Sequence, residues 1–103
     1  MYNTSKTEFL QGSKMAKRVK PIPTPTQEGY LTKELLGQFI RARRTQEGLK
    51  MHDVAMLCGI SIATLTNIEK AAANVRIDTA LHVAKMLGIK IRVEPWHTPD
   101  HTV

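Results

Sequence analysis

The sequence predicts an all-α domain of four main helices, followed by one C-terminal β-strand that pairs across a homodimer. Three observations carry this expectation. Apolar residues recur at three- and four-residue spacing through most of residues 32–87, the pattern of helices that bury one face. Glycines and capping residues cut that stretch into four pieces. Beyond Gly88 the period changes to two, with Ile89, Ile91 and Val93 alternating with Lys90, Arg92 and Glu94, as in a half-buried strand.

The first helix is expected over residues 32–47. Thr32 suits its N-cap, and Gly48 lets the chain leave through a left-handed conformation. Leu35, Leu36, Phe39 and Ile40 form its apolar face, while Arg41, Arg43 and Arg44 fall late, where positive charge complements the helix dipole. The second helix is expected over residues 51–58, with Val54, Ala55 and Leu57 or Cys58 turned inward. Gly59 then supplies a turn, and Ser61 caps a third helix over residues 62–70. In that helix Leu65 and Ile68 face the core, leaving Ile62, Ala63, Thr66 and Asn67 toward solvent or a ligand. Asp78 is expected to cap a fourth helix over residues 79–87, which buries Ala80, Val83, Ala84 and Leu87.

A lone strand leaves its backbone groups unpaired, so the segment at residues 89–96 requires a partner. The economical partner is the same strand of a second copy, antiparallel across a two-fold axis, with Trp96 covering the junction. The alternative is an intrachain pair with the N-terminal arm near Tyr30. That arm, residues 1–30, is polar and basic and ends in a run containing Pro21, Pro23 and Pro25, which forbid a helix. It is expected to be largely disordered, reaching an anionic partner or serving only its own domain. Residues 31–88 form the helical domain and 97–103 a tail.

Size and charge limit the function. A chain of 103 residues with 42% hydrophobic residues can build one small core, with no room for a large enzyme pocket. The net charge of +6 is spread along the chain and favours an anionic partner. The one cysteine, Cys58, reads as a core residue of a reduced, cytoplasmic protein. No window is apolar enough to span a membrane. His52, His82, His97 and His101 have no metal-cage spacing, the carboxylates form no acid/base pair, and no glycine-rich phosphate loop follows a strand. Neither catalysis, a metal nor another cofactor is implied.

The stretch from Gly48 to Lys70 has the layout of a helix-turn-helix, whose second helix enters the DNA major groove. The resemblance is wider than that unit. Ile40-Arg41 with Arg44, Gly48-Leu49, Ala55, Gly59-Ile60-Ser61, Thr64-Leu65 with Ile68-Glu69, and Asp78-Thr79 with Ala84 and Leu87-Gly88 resemble the Cro/C1 (XRE) family of phage-repressor regulators. The resemblance covers residues 35–88 and implies a lambda-repressor-like fold with roles at matching positions. Arg44 and Glu69 match a structural ion pair. Ser61, Ile62, Ala63 and Asn67 match base-facing positions, and Thr64 and Thr66 lie near the phosphates. Lys50 and Met51 stand where many members carry Thr-Gln, so Lys50 with His52 would take over phosphate contacts there, joined by Asn74 and Arg76 from the later loop. Ala71 occupies a position that is often Gly, and Ala71–Ala73 read as a slight extension of the third helix.

The recognition-helix text ATLTNIE and the GIKIRVEPW segment are further similar to HipB-type antitoxins, homodimers that repress their own operon and hold a kinase-like toxin. Together these features imply a homodimeric repressor of double-stranded DNA carrying an inverted repeat, with a cognate toxin as a further partner. The competing reading is a protein-interaction module that keeps the helical scaffold without binding DNA, suggested by the apolar Met51 and Ile62 on the DNA-facing side.

Overall fold

A computed structural model describes residues 18–97 of the chain. Four helices follow in order: α1 (Lys33–Gln46), α2 (Met51–Cys58), α3 (Ile62–Lys70) and α4 (Ile77–Met86). Thr32 caps α1 by accepting the Leu35 N–H at 3.0 Å. α3 is the central element, packed on α1 and on α2, and α4 packs on α2. The core draws Leu36 and Ile40 from α1, Val54, Ala55 and Cys58 from α2, Leu65 and Ile68 from α3, and Ala80, Val83, Ala84 and Leu87 from α4 and its end. Ile40, Leu65, Val54 and Val83 are fully buried, each stabilising the fold by about 1.5–3 kcal/mol through loss of apolar surface. These side chains fix how α3 is presented.

The approach of α1 to α3 depends on a residue whose spacing gives no warning of its role. Gly37 is buried in α1, and a Cβ there would lie 2.6 Å from the Ile68 carbonyl oxygen and 2.8 Å from that of Glu69. Only a hydrogen fits. Seven residues later, Arg44 donates from Nε and Nη2 to the two carboxylate oxygens of Glu69, at 2.7 and 3.1 Å, and from Nη1 to the Leu49 carbonyl at 2.9 Å. The expected ion pair is present and almost wholly shielded from water, and among the described residues no buried side-chain nitrogen or oxygen lacks a hydrogen-bond partner. Arg43 reaches the other way, donating to the Leu87 carbonyl at 2.9 Å and so satisfying an open carbonyl at the end of α4.

Three sequence expectations are corrected. α3 does not extend into the alanines: it stops at Lys70, and Ala71 adopts a left-handed conformation, φ 58° and ψ 46°. In that turn the Ala71 and Ala72 amides donate to the Ile68 and Asn67 carbonyls at 3.2 and 2.9 Å, satisfying groups a straight helix would leave open. The fourth helix starts earlier than expected, because Arg76 occupies the N-cap position and Asp78 lies inside the first turn. The C-terminal segment forms no strand in the single chain. Among the described residues no backbone ladder exists; Ile89 packs against the core, while Ile91, Val93 and Trp96 are exposed, the last two by 80% and 77%. A strand needs a neighbour to satisfy its amides and carbonyls, and the described residues offer none. Gln27–Tyr30 and Arg92–Pro95 line a common groove without pairing their backbones.

The described part of the N-terminal arm is tied down near Ile22. Its N–H donates to Thr45 Oγ1 at 2.9 Å, and its carbonyl accepts from Gln46 Nε2 at 2.7 Å. The same Gln46 group also donates to Thr24 Oγ1 at 2.9 Å. Extended, proline-containing backbone has unspent polar groups, and the end of α1 takes two of them. The first 17 residues of the arm, and residues 98–103 of the tail, lie outside the described residues.

Candidate nucleic-acid interface

α2 and α3 meet at a bend of 108°, within the range that lets one helix rest on a duplex backbone while the next enters the groove. Two local features set that angle. Gly59 ends α2 with φ 71°, a conformation L side chains rarely adopt. Ser61 then caps α3, its Oγ accepting the Thr64 N–H at 3.0 Å while its hydroxyl donates to Thr64 Oγ1 at 2.9 Å. Leu65 and Ile68 anchor the inner face of α3.

The outer face carries the expected base-facing residues. Ser61, Ala63 and Asn67 are exposed, and Ile62 is half exposed. The Asn67 amide takes no partner from the described residues, leaving a donor and an acceptor for the paired contact an adenine edge accepts. Ile62 and Ala63 present methyl groups suited to a thymine methyl. Ser61 is partly committed, since its hydroxyl already serves the cap. The Thr66 hydroxyl is turned back, donating to the Ile62 carbonyl at 2.8 Å, so only its oxygen lone pairs remain for a ligand.

Beside α3, a groove is lined by Thr64, Asn67, Ile68, Asn74, Val75, Arg76 and Thr79. It brings together four of the sequence-selected residues, Thr64, Asn67, Asn74 and Arg76, although they come from α3 and from the loop before α4. Thr79 also lines it, a place sequence reasoning missed; a hydroxyl in the first turn of α4 has no signal of its own. Lys50 and His52 do not line this groove and sit at the N-terminus of α2. Lys50 is exposed there, its N–H donating to Asp53 Oδ2 at 2.7 Å, and His52 Nε2 lies 3.2 Å from Asp53 Oδ1.

Arg76 is not free in this arrangement. Its Nε and Nη2 donate to the two oxygens of Asp78 at 3.1 and 3.0 Å, in an exposed pair at the groove's edge. Through that hydrogen-bonded contact Asp78 raises the Arg76 guanidinium and Arg76 holds the Asp78 carboxyl below the usual carboxylate range. Elsewhere, burial pushes the Cys58 thiol up, in keeping with its place in the core. Among the described residues no group of histidine, cysteine or carboxylate side chains is placed to hold a metal, and no single helix is long and apolar enough to cross a membrane.

No curated protein matches the chain. A family model does: the helix-turn-helix model of the Cro/C1 type matches residues 40–93, just over half of the chain. The match runs from Ile40 in the core of α1, through both helices of the motif and α4, into the C-terminal segment. The chain therefore belongs to the Cro/C1-type (XRE) helix-turn-helix family, and by that membership is a DNA-binding regulator.

Proposed function

We propose that this protein is a homodimeric, sequence-specific transcriptional repressor that reads an inverted repeat in its own promoter. The exposed, unpartnered amide of Asn67 on the outer face of α3, flanked by Ile62 and Ala63, supports this reading most directly. The side chains reach bases from that face, while Lys50 and His52 at the start of α2 and Thr64, Thr66, Asn74 and Arg76 nearer the groove contact phosphates. Two copies of α3 about 34–36 Å apart would enter successive major grooves on one side of the duplex. The second copy joins through residues 89–96, whose unpaired backbone and exposed Ile91, Val93 and Trp96 gain a ladder and apolar cover from the same segment of a partner, beside Ile89. Repression follows from occupying the promoter against polymerase.

The test is binding to the upstream promoter fragment and to a scrambled duplex, with footprinting and a salt titration. A protected inverted repeat and affinity that falls with salt support the repressor. Asn67→Ala then relaxes selectivity at one base pair per half-site, by about 1–3 kcal/mol. Equal weak binding to both duplexes, or none, favours the interaction-module reading. The half-exposed Ile62 on the outer face of α3 is the observation behind that second reading, while the resemblance to HipB-type antitoxins makes a kinase-like toxin the further partner to assay for the repressor.

A further inference from the structure

Asp78 faces the wrong way for a DNA-binding surface: it places a carboxylate at the edge of the groove in which Asn67, Asn74 and Arg76 gather. Its position is nonetheless well defined. Its Oδ1 accepts the Thr79 N–H at 2.8 Å, and its place in the first turn of α4 suits negative charge. From that mount it takes Arg76 in a two-bond grip. A guanidinium has five N–H donors in a fixed plane, so the grip consumes one edge and leaves the opposite edge pointing away from Asp78.

We propose that Asp78 is a specificity-determining residue that acts through Arg76, orienting the guanidinium toward one phosphate and cancelling its charge toward all others. The proposal rests on the DNA-binding reading above and adds a mechanism to it. An ungripped arginine on a flexible stem attracts any phosphate within reach, which strengthens specific and non-specific binding alike. A gripped one offers little net charge at a distance. It contributes when the register of the duplex brings a phosphate to its open edge, where the planar fork can form two parallel bonds. Discrimination then comes from suppressing the wrong complex as well as from favouring the right one.

The grip and its consequence are separable by mutation. Asp78→Asn preserves size and removes the charge. It should raise affinity for a scrambled duplex about five-fold and steepen the salt dependence there by about 0.9 in the log–log slope, the equivalent of one added phosphate contact. Operator affinity should change less, so the operator-to-scrambled ratio falls. Asp78→Glu should recover part of that ratio. In an Arg76→Ala background, Asp78→Asn should leave the ratio and the slope unchanged, because the carboxylate acts through the arginine. An unchanged ratio in Asp78→Asn, or the same shift with and without Arg76, overturns the proposal. Selective, salt-sensitive binding by the unaltered protein alongside such a result leaves the repressor reading standing. Failure of the unaltered protein to discriminate any duplex removes both.

Discussion

Arg44 and Glu69 form the strongest polar tie between α1 and α3, a two-bond grip at 2.7 and 3.1 Å with side chains only 9% and 3% exposed. Breaking such a pair from one side strands the other charge. Glu69→Ala is expected to lose about 3–5 kcal/mol of folding stability in urea denaturation. Replacing both partners together, Arg44→Met with Glu69→Leu, should recover most of that loss, since apolar residues of similar volume carry no stranded charge. A double variant as unstable as the single would show that the pair contributes net stability beyond mutual neutralisation.

Gly37 sets two rules against each other. Helix propensity alone says that Gly37→Ala gains about 1 kcal/mol. The 2.6 Å approach to the Ile68 carbonyl oxygen says that the methyl group cannot be seated without moving backbone. Packing should win, with a net loss of about 1–3 kcal/mol, read as a lower midpoint in thermal melts. A rise in the midpoint would mean that α1 and α3 separate cheaply.

Ala71 offers the opposite opportunity. A non-glycine residue in the left-handed region costs about 1–2 kcal/mol, and Ala71 sits there at φ 58°. Ala71→Gly should therefore stabilise the protein, by about 1 kcal/mol after the added chain entropy of glycine is counted. Calorimetry on the two proteins decides it, and unchanged stability would argue that the turn relaxes in solution.

The Asp78 carboxyl should titrate below an ordinary aspartate, near 3.9 in an unfolded chain, because the Arg76 hydrogen bonds favour its ionised form. The sign of the linkage follows. The pair's stabilising contribution is complete above the unfolded value and disappears as the pH falls through the lower folded value. Both side chains are largely exposed, so solvent keeps the effect small. Carboxyl carbon shifts followed by NMR should give a depressed midpoint for Asp78 that moves upward in Arg76→Ala.

Local chemistry decided what could be read from the chain. α2 ends and α3 begins where Gly59 and Ser61 say they should, because a left-handed turn residue and a hydroxyl cap act on their immediate neighbours. The errors arose where a local signal had two uses. Asp78 has the right chemistry for an N-cap, yet it works inside the first turn of the helix by pairing with Arg76. Ala71–Ala73 have high helix propensity, yet the chain turns at once, bringing Val75 back against the core. Gly37 and Thr45, overlooked altogether, and Thr79, whose place in the groove was missed, owe their roles to partners distant in sequence or to a groove assembled by folding. Arg44 and Glu69 were found only through the family resemblance, since nothing in their spacing of 25 residues links them.

The double pinning of α3 has a consequence for how such a protein can change. Gly37 fixes how near the helix lies and Arg44 fixes how it is rotated, while Leu65 and Ile68 hold its inner side. None of these four residues belongs to the exposed set at Ser61, Ile62, Ala63 and Asn67. On the proposed reading, replacements at Ile62, Ala63 and Asn67 would alter what the surface reads at almost no expense to the frame that presents it. Evolution, or a designer, could rewrite the preferred sequence while the mount stays the same, as type is reset in a fixed press.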